Sequence, residues 1–169
     1  MVLIPFKGKK PSIHKTAYVA ESAQLIGNVE IGENSSVWPN AVIRADMAHV
    51  KIGKNTSVQD CSVLHNAENI PVVVGDNVTI GHNAIVHGCT IHDNVLIGMG
   101  AIVMDNAIIH SNSIIAAGSV VLENTIVEEG SLYAGAPAKK IKTLDLSQTK
   151  EMIAKIATNY VMYAKWYKK

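Results

Sequence analysis

Aliphatic residues recur every six positions along most of the chain. Ile13, Val19, Leu25, Ile31, Val37 and Ile43 form one unbroken series. Ile52, Val58 and Leu64 continue it, followed by Val74, Ile80 and Val86. Ile91, Ile97, Val103, Ile109, Ile115 and Val121 complete it. Such a period is neither the roughly 3.6 of an amphipathic helix nor the bare alternation of an ordinary strand. It predicts a parallel β-helix in which each hexad forms one flat face of a coil.

The hexads share an internal chemistry. Ile31-Gly32-Glu33-Asn34, Ile52-Gly53-Lys54-Asn55, Val74-Gly75-Asp76-Asn77 and Ile80-Gly81-His82-Asn83 repeat one motif. The aliphatic residue points into the coil, and the Asn sits at a corner, where left-handed backbone angles suit Asn and Gly. Small residues such as Ser35, Ala41, Ala84, Ala101 and Ser119 fit beside the inward aliphatic. Three hexads make a coil of about 18 residues. Inward residues then stack at about 4.8 Å on their counterparts in the next coil.

Three breaks interrupt the repeat. The step from Ile43 to Ile52 is three residues long of a hexad, that from Leu64 to Val74 four long, and that from Val86 to Ile91 one short. The repeat fades after Val127, and Gly135 and Pro137 mark the exit from the coil. From about Ser147 to Tyr167 the spacing turns helical, with Ile153, Ile156, Tyr160 and Tyr163 on one stripe and Ser147 as the expected cap. The expected fold class is therefore all-β: a left-handed parallel β-helix of about seven coils over residues 1–141, with a C-terminal α-helix in residues 142–169 packed on it.

Composition narrows the functional classes. A chain of 169 residues suits one domain, and a net charge of +1 gives no electrostatic case for nucleic acid or an anionic membrane. The N-terminal stretch Met1–Phe6 has neither a signal-peptide pattern nor a membrane span, so a cytoplasmic location is expected. Cys61 and Cys89 are read as reduced thiols rather than a disulfide framework.

The coil geometry turns spacing into columns. His65 follows Leu64 and His87 follows Val86, so the two occupy the same position on the third face, one coil apart. The four inserted residues make their separation 22 rather than 18. Two outward imidazoles about 4.8 Å apart along the strands can approach one metal ion. His82 lies on the second face, across a corner, and points away from that pair. A threefold trimer of triangular prisms would bring His82 of one copy to His65 and His87 of the next. Arg44 stands one coil before His65, and Asp60 one coil before His82. The same subunit logic makes Arg44 of one copy face Asp60 of its neighbour. Gln59, beside Asp60, is placed to hydrogen-bond solvent at the metal. His14, His49, His92 and His110 are read as surface residues with no partner column.

Arg44-Ala45-Asp46, Gln59-Asp60, His65 and Gly81-His82-Asn83-Ala84-Ile85-Val86-His87-Gly88 together resemble the gamma-class carbonic anhydrases and their short-loop homologues. The similarity continues through Leu132-Tyr133-Ala134-Gly135-Ala136-Pro137-Ala138-Lys139. The resemblance implies a homotrimer that holds zinc, or else iron or cobalt, on His65, His82 and His87. It implies hydration of carbon dioxide to bicarbonate by a metal-bound hydroxide at the trimer interfaces. Gln59, Arg44, Asp60 and Glu68 are its implied catalytic residues. Gln59 lies near the reacting solvent, Arg44 and Asp60 pair across the interface, and Glu68 falls near the family's proton-shuttle loop, which is short here. Asp46 takes a structural role, and Tyr160 or Tyr163 offers an aromatic hydroxyl. Two alternatives stay open: an acyltransferase or thioesterase with one histidine as general base, and a non-catalytic protein that binds a metal or metal chelate.

Overall fold

The computed structural model describes residues 1–168. The chain winds as a left-handed parallel β-helix of about seven coils with triangular cross-section, closed by one C-terminal helix. Short strands stack in parallel on each face. The second face carries Tyr18–Val19, Ser36–Val37, Ser57–Val58, Thr79–Ile80, Leu96–Ile97, Ile114–Ile115 and Ser131–Ala134. Strands Gln24–Ile31 and Val42–Ile52 run from the third face round a corner onto the first without a break. That continuity merges the first and third faces into one 12-stranded sheet beside the 8-stranded second face.

The six-residue period is the register of the core. Leu25, Ile43, Leu64, Val86, Val103 and Val121 pair in sequence up the third face, and each is 0 % exposed. Val37, Val58, Ile80, Ile97 and Ile115 do the same on the second face. Burying each such side chain contributes about 1.5–3 kcal/mol, and the coils share that stability with their neighbours. The corner asparagines Asn34, Asn55, Asn77 and Asn83 have φ of 56, 52, 55 and 57°. Three of their side chains also form a ladder along one edge: Asn34 Nδ2 donates to Asn55 Oδ1 (3.3 Å), and Asn55 Nδ2 to Asn77 Oδ1 (3.1 Å).

The structure refines the sequence reading at the C-terminal end. The stack continues past Val127, within the span to residue 141 expected for the β-helix. Ser131–Ala134 adds another rung, with buried Tyr133 taking the place of an aliphatic above Ile115. Lys139–Thr143 then returns antiparallel on that rung. The helix spans Leu146–Trp166, and its N-cap is Asp145 rather than Ser147. Asp145 has an extended backbone, and its carboxylate accepts the Gln148 N–H at 3.0 Å, which a residue already inside the helix could not do. The Ser147 hydroxyl donates to the same carboxylate at 2.7 Å.

The helix lies on the second face, against Ser36–Val37, Ser57–Val58 and Thr79–Ile80. Outward residues there are small, so the helix packs closely and Ser36, Ser57 and Thr79 are buried. Ile153 and Ala157 anchor its inner side, with Ile156, Tyr160 and Tyr163 half-buried beside them. Among the described residues no helix is long and apolar enough to cross a membrane.

Candidate metal centre

Arg44, His65 and His87 stand in register on three consecutive strands of the third face. Each follows an inward aliphatic, so strand alternation turns it outward. Both inserts serve this alignment. The longer one closes as a tight turn through an Ala67–Ile70 bridge. Buried Asn66 ties it to the insert below, accepting the Ala48 N–H (3.1 Å) and donating to the Ala48 carbonyl (2.9 Å).

A continuous polar chain runs across these coils. Arg44 Nη1 donates to Asp46 Oδ2 at 2.5 Å. Asp46 Oδ1 lies 3.0 Å from His65 Nε2. His65 Nδ1 faces His87 Nε2 at 3.0 Å. His87 Nδ1 is 2.5 Å from Asp105 Oδ1. Burial works to raise the Asp46 carboxyl, but hydrogen bonds from Arg44 and His65 outweigh it and hold the group below the usual carboxylate range.

The two carboxylates decide the chemistry of the rings. Ionised, they are acceptors only. Each therefore takes the N–H of its histidine, which leaves the lone pair of the other nitrogen turned inward. With the tautomers assigned in this way, His65 Nδ1 and His87 Nε2 turn their lone pairs toward one another at 3.0 Å. Two nitrogens each about 2.0–2.1 Å from a single metal ion sit about 3 Å apart when they are adjacent ligands. The donor set thus fits a divalent metal, with carboxylates fixing the rings from behind as metal-site histidines require.

Asp105 is the residue that reading the histidine columns missed. Its signal was present, because it stands one coil above Gly88, next to His87. Gly88 makes the contact possible. Its φ is +48°, and a Cβ there would lie 2.2 Å from Asp105 Oδ1.

His82 belongs to a separate group. It sits at the corner between second and third faces, and its Nδ1 is 2.9 Å from Asp60 Oδ2, one coil below. Both side chains are about two-fifths exposed, at 43 % and 39 %. Tyr160 and Tyr163 reach this side: with Trp38, Pro39, Trp166 and Tyr167 they wall a cavity of about 290 Å³ onto which Asp60 and His82 open. Burial, with the Asp60 charge and Tyr163 adding to it, pushes the Tyr160 phenol up. Gln59 is buried, and lines a cavity of about 410 Å³ with His82, Tyr160 and Ile156. Glu68 is exposed on the Ala67–Ile70 turn. Within one chain, and among the described residues, no three His, Cys, Asp or Glu side chains are disposed to hold a metal together.

The remaining polar residues fall elsewhere. His92 and His110 do share a column, contrary to the reading of both as unpartnered: their strands pair, and their rings stack 5.0 Å apart at 8°. An 18-residue step is one unbroken coil, so this pair was legible from spacing. Both cysteines are free, and burial pushes the Cys89 thiol far up.

Comparison with known proteins adds identity to this geometry. A family described as "Bacterial transferase hexapeptide (six repeats)" matches residues 10–45, 71–103 and 88–123. A protein named carbonic anhydrase from Geobacillus kaustophilus is 44% identical over 99% of this chain and 91% of its own length. A probable carbonic anhydrase from Methanocaldococcus jannaschii is 46% identical over 90% of this chain and 94% of its own. The chain belongs to the gamma-class carbonic anhydrase family. A solved structure, a hexapeptide transferase family protein from Anaplasma phagocytophilum, superposes with a TM-score of 0.95 at 40% identity, over 99% of this chain and 98% of that one.

Proposed function

We propose that this protein hydrates carbon dioxide to bicarbonate at metal sites shared between the copies of a homotrimer. The observation that carries the reading is the facing pair of His65 Nδ1 and His87 Nε2, each ring backed by a carboxylate. Two donors are fewer than a catalytic metal site uses. The third imidazole in the family pattern, His82, stands on a different edge of the same chain, where only a neighbouring copy could present it to the pair. Outward residues of the third face support such a contact. Val42, Val63, Ile85, Ile102 and Val120 form an apolar column, with Val63 and Ile85 exposed. Cyclic threefold symmetry uses that surface three times and leaves none over.

Zinc is the metal proposed, with iron or cobalt as alternatives that imidazole ligands also suit. A divalent metal held there supplies Lewis acidity, which makes water a nucleophile near neutral pH. The residues of the chain do the rest. Asp46 and Asp105 fix both imidazoles, and Arg44 braces Asp46. Across the interface Arg44 also meets the Asp60 of the neighbouring copy. Gln59, buried beside His82, orients the reacting solvent and carbon dioxide. Exposed Glu68 passes the released proton to buffer. Hydration measured by stopped flow on anaerobically metal-loaded protein tests the reading, and full activity in a His82→Ala variant would overturn it.

A transferase reading is favoured by names alone, those of the matching family and of the Anaplasma relative. It needs one histidine as general base and leaves the paired carboxylate–histidine units without a purpose. Tight coenzyme A binding to metal-free protein, with no hydration by the metal-loaded form, would decide for it. Bound metal with neither activity would leave a binding protein.

A further inference from the structure

His92 and His110 lie on the first face, away from the helix on the second face and from His65 and His87 on the third. Each directly follows an inward isoleucine, and Ile91 and Ile109 are paired in register. Their imidazoles are therefore carried at the strand spacing, on two rigid coils whose core positions are fully buried. The rings stack nearly parallel, 5.0 Å between centroids at 8°. His92 is exposed and His110 half-buried, so the column opens to solvent.

This pair differs from His65 and His87 in what holds it. No carboxylate ion pair fixes either ring among the described residues, whereas Asp46 and Asp105 lock the other two. The next residue up the column, Glu128, is engaged by Lys140 at 2.5 Å. The Asp93 carboxylate beside His92 accepts the Asp76 N–H at 2.8 Å. The rings are thus free to turn about their side-chain bonds until one nitrogen of each converges. Two imidazoles presented to water, with no thiolate and no free carboxylate, suit late divalent transition metals, copper above nickel or zinc.

We propose that His92 and His110 form a second metal site, a two-imidazole chelate for Cu²⁺ on the solvent-facing side of the prism. Water fills the remaining positions, and the ion clamps two successive coils together. The site is built within one chain and does not depend on the trimer.

Copper titration of the zinc-loaded protein, followed by electron paramagnetic resonance, tests it. One Cu²⁺ per chain should bind with splitting from two equatorial imidazole nitrogens. Removing one ring converts a chelate into a single contact, so His92→Ala and His110→Ala should each weaken copper binding at least about tenfold and lose the two-nitrogen signal. A variant lacking His65 and His87 should keep it. Unchanged copper spectra and stoichiometry in His92→Ala and His110→Ala would overturn the proposal. So would loss of the signal on removing His65 and His87 alone, because the ion would then belong to the first site.

Discussion

His65 Nδ1 and His87 Nε2 face each other at 3.0 Å from adjacent coils, and each ring is held from behind by an aspartate. The relationship depends on both aspartates remaining acceptors. In Asp105→Asn the side chain can offer an N–H to His87 Nδ1, which would move the ring proton to Nε2 and aim it at His65. Metal affinity should fall about 10–100-fold. Competition against a chromogenic chelator measures this, and an unchanged thermal midpoint would show that the loss is not one of folding. Affinity equal to that of the parent would remove Asp105 from the site.

Gly88 is the position on which the Asp105 contact rests. Gly88→Ala places a methyl group 2.2 Å from Asp105 Oδ1, at a φ of +48° that side chains rarely adopt. Strain of this kind costs of the order of 1–3 kcal/mol, and the carboxylate must move. Denaturant unfolding and metal affinity should therefore both weaken in this single variant, whereas Asp105→Asn affects metal affinity alone.

Most of the core was legible because a hexad period maps onto register one residue at a time: Leu64 predicts Val86 above it, and Asn55 predicts a corner. The histidine column followed from the same arithmetic. Asp105 was not found because its relation to His87 crosses from one hexad position to the next, through a glycine with no side chain to suggest a neighbour. The last rung lies within the expected span 1–141, but the hexad series fades before it because Tyr133 replaces the aliphatic that marks an inward position. Asp145 and Ser147 are both sound caps by residue type. The choice between them is made by the end of the hairpin strand Lys139–Thr143, a tertiary fact.

Asp145 also makes the helix start sensitive to acid. Its carboxyl is held below the ordinary value of 3.8 chiefly by the Gln148 N–H, then by the Ser147 hydroxyl. A lowered folded value means that the cap's contribution is fully present above the unfolded value. It is lost as pH falls through the folded one. Amide protection in the first helical turn, taken relative to the intrinsic exchange rate at each pH, should fall below about pH 4 in the parent protein. In Asp145→Ala that protection should already be low at neutral pH and change little on acidification.

Ile85 tests the surface proposed to join copies. It is 41 % exposed in a single chain and belongs to the apolar column beside His87. In Ile85→Glu, association would bury an unpaired charge at a cost of several kcal/mol, while the isolated chain would simply solvate it. Sedimentation should show a dissociated protein with an unchanged circular dichroism spectrum. A variant that still sediments as a trimer would place the interface elsewhere.

A shared site makes a numerical prediction about mixtures. His65→Ala and His82→Ala should each abolish hydration alone, since every interface lacks one imidazole. When the two are unfolded and refolded together in equal amounts, trimers form at random. An interface is intact when its third face comes from a His82→Ala chain and its second face from a His65→Ala chain. Each choice has even odds, so about a quarter of the sites should be whole, and the mixture should regain about a quarter of the parent activity per chain. If all three imidazoles instead met within one chain, no pairing of these variants could rebuild a site, and the mixture would stay as inactive as its components.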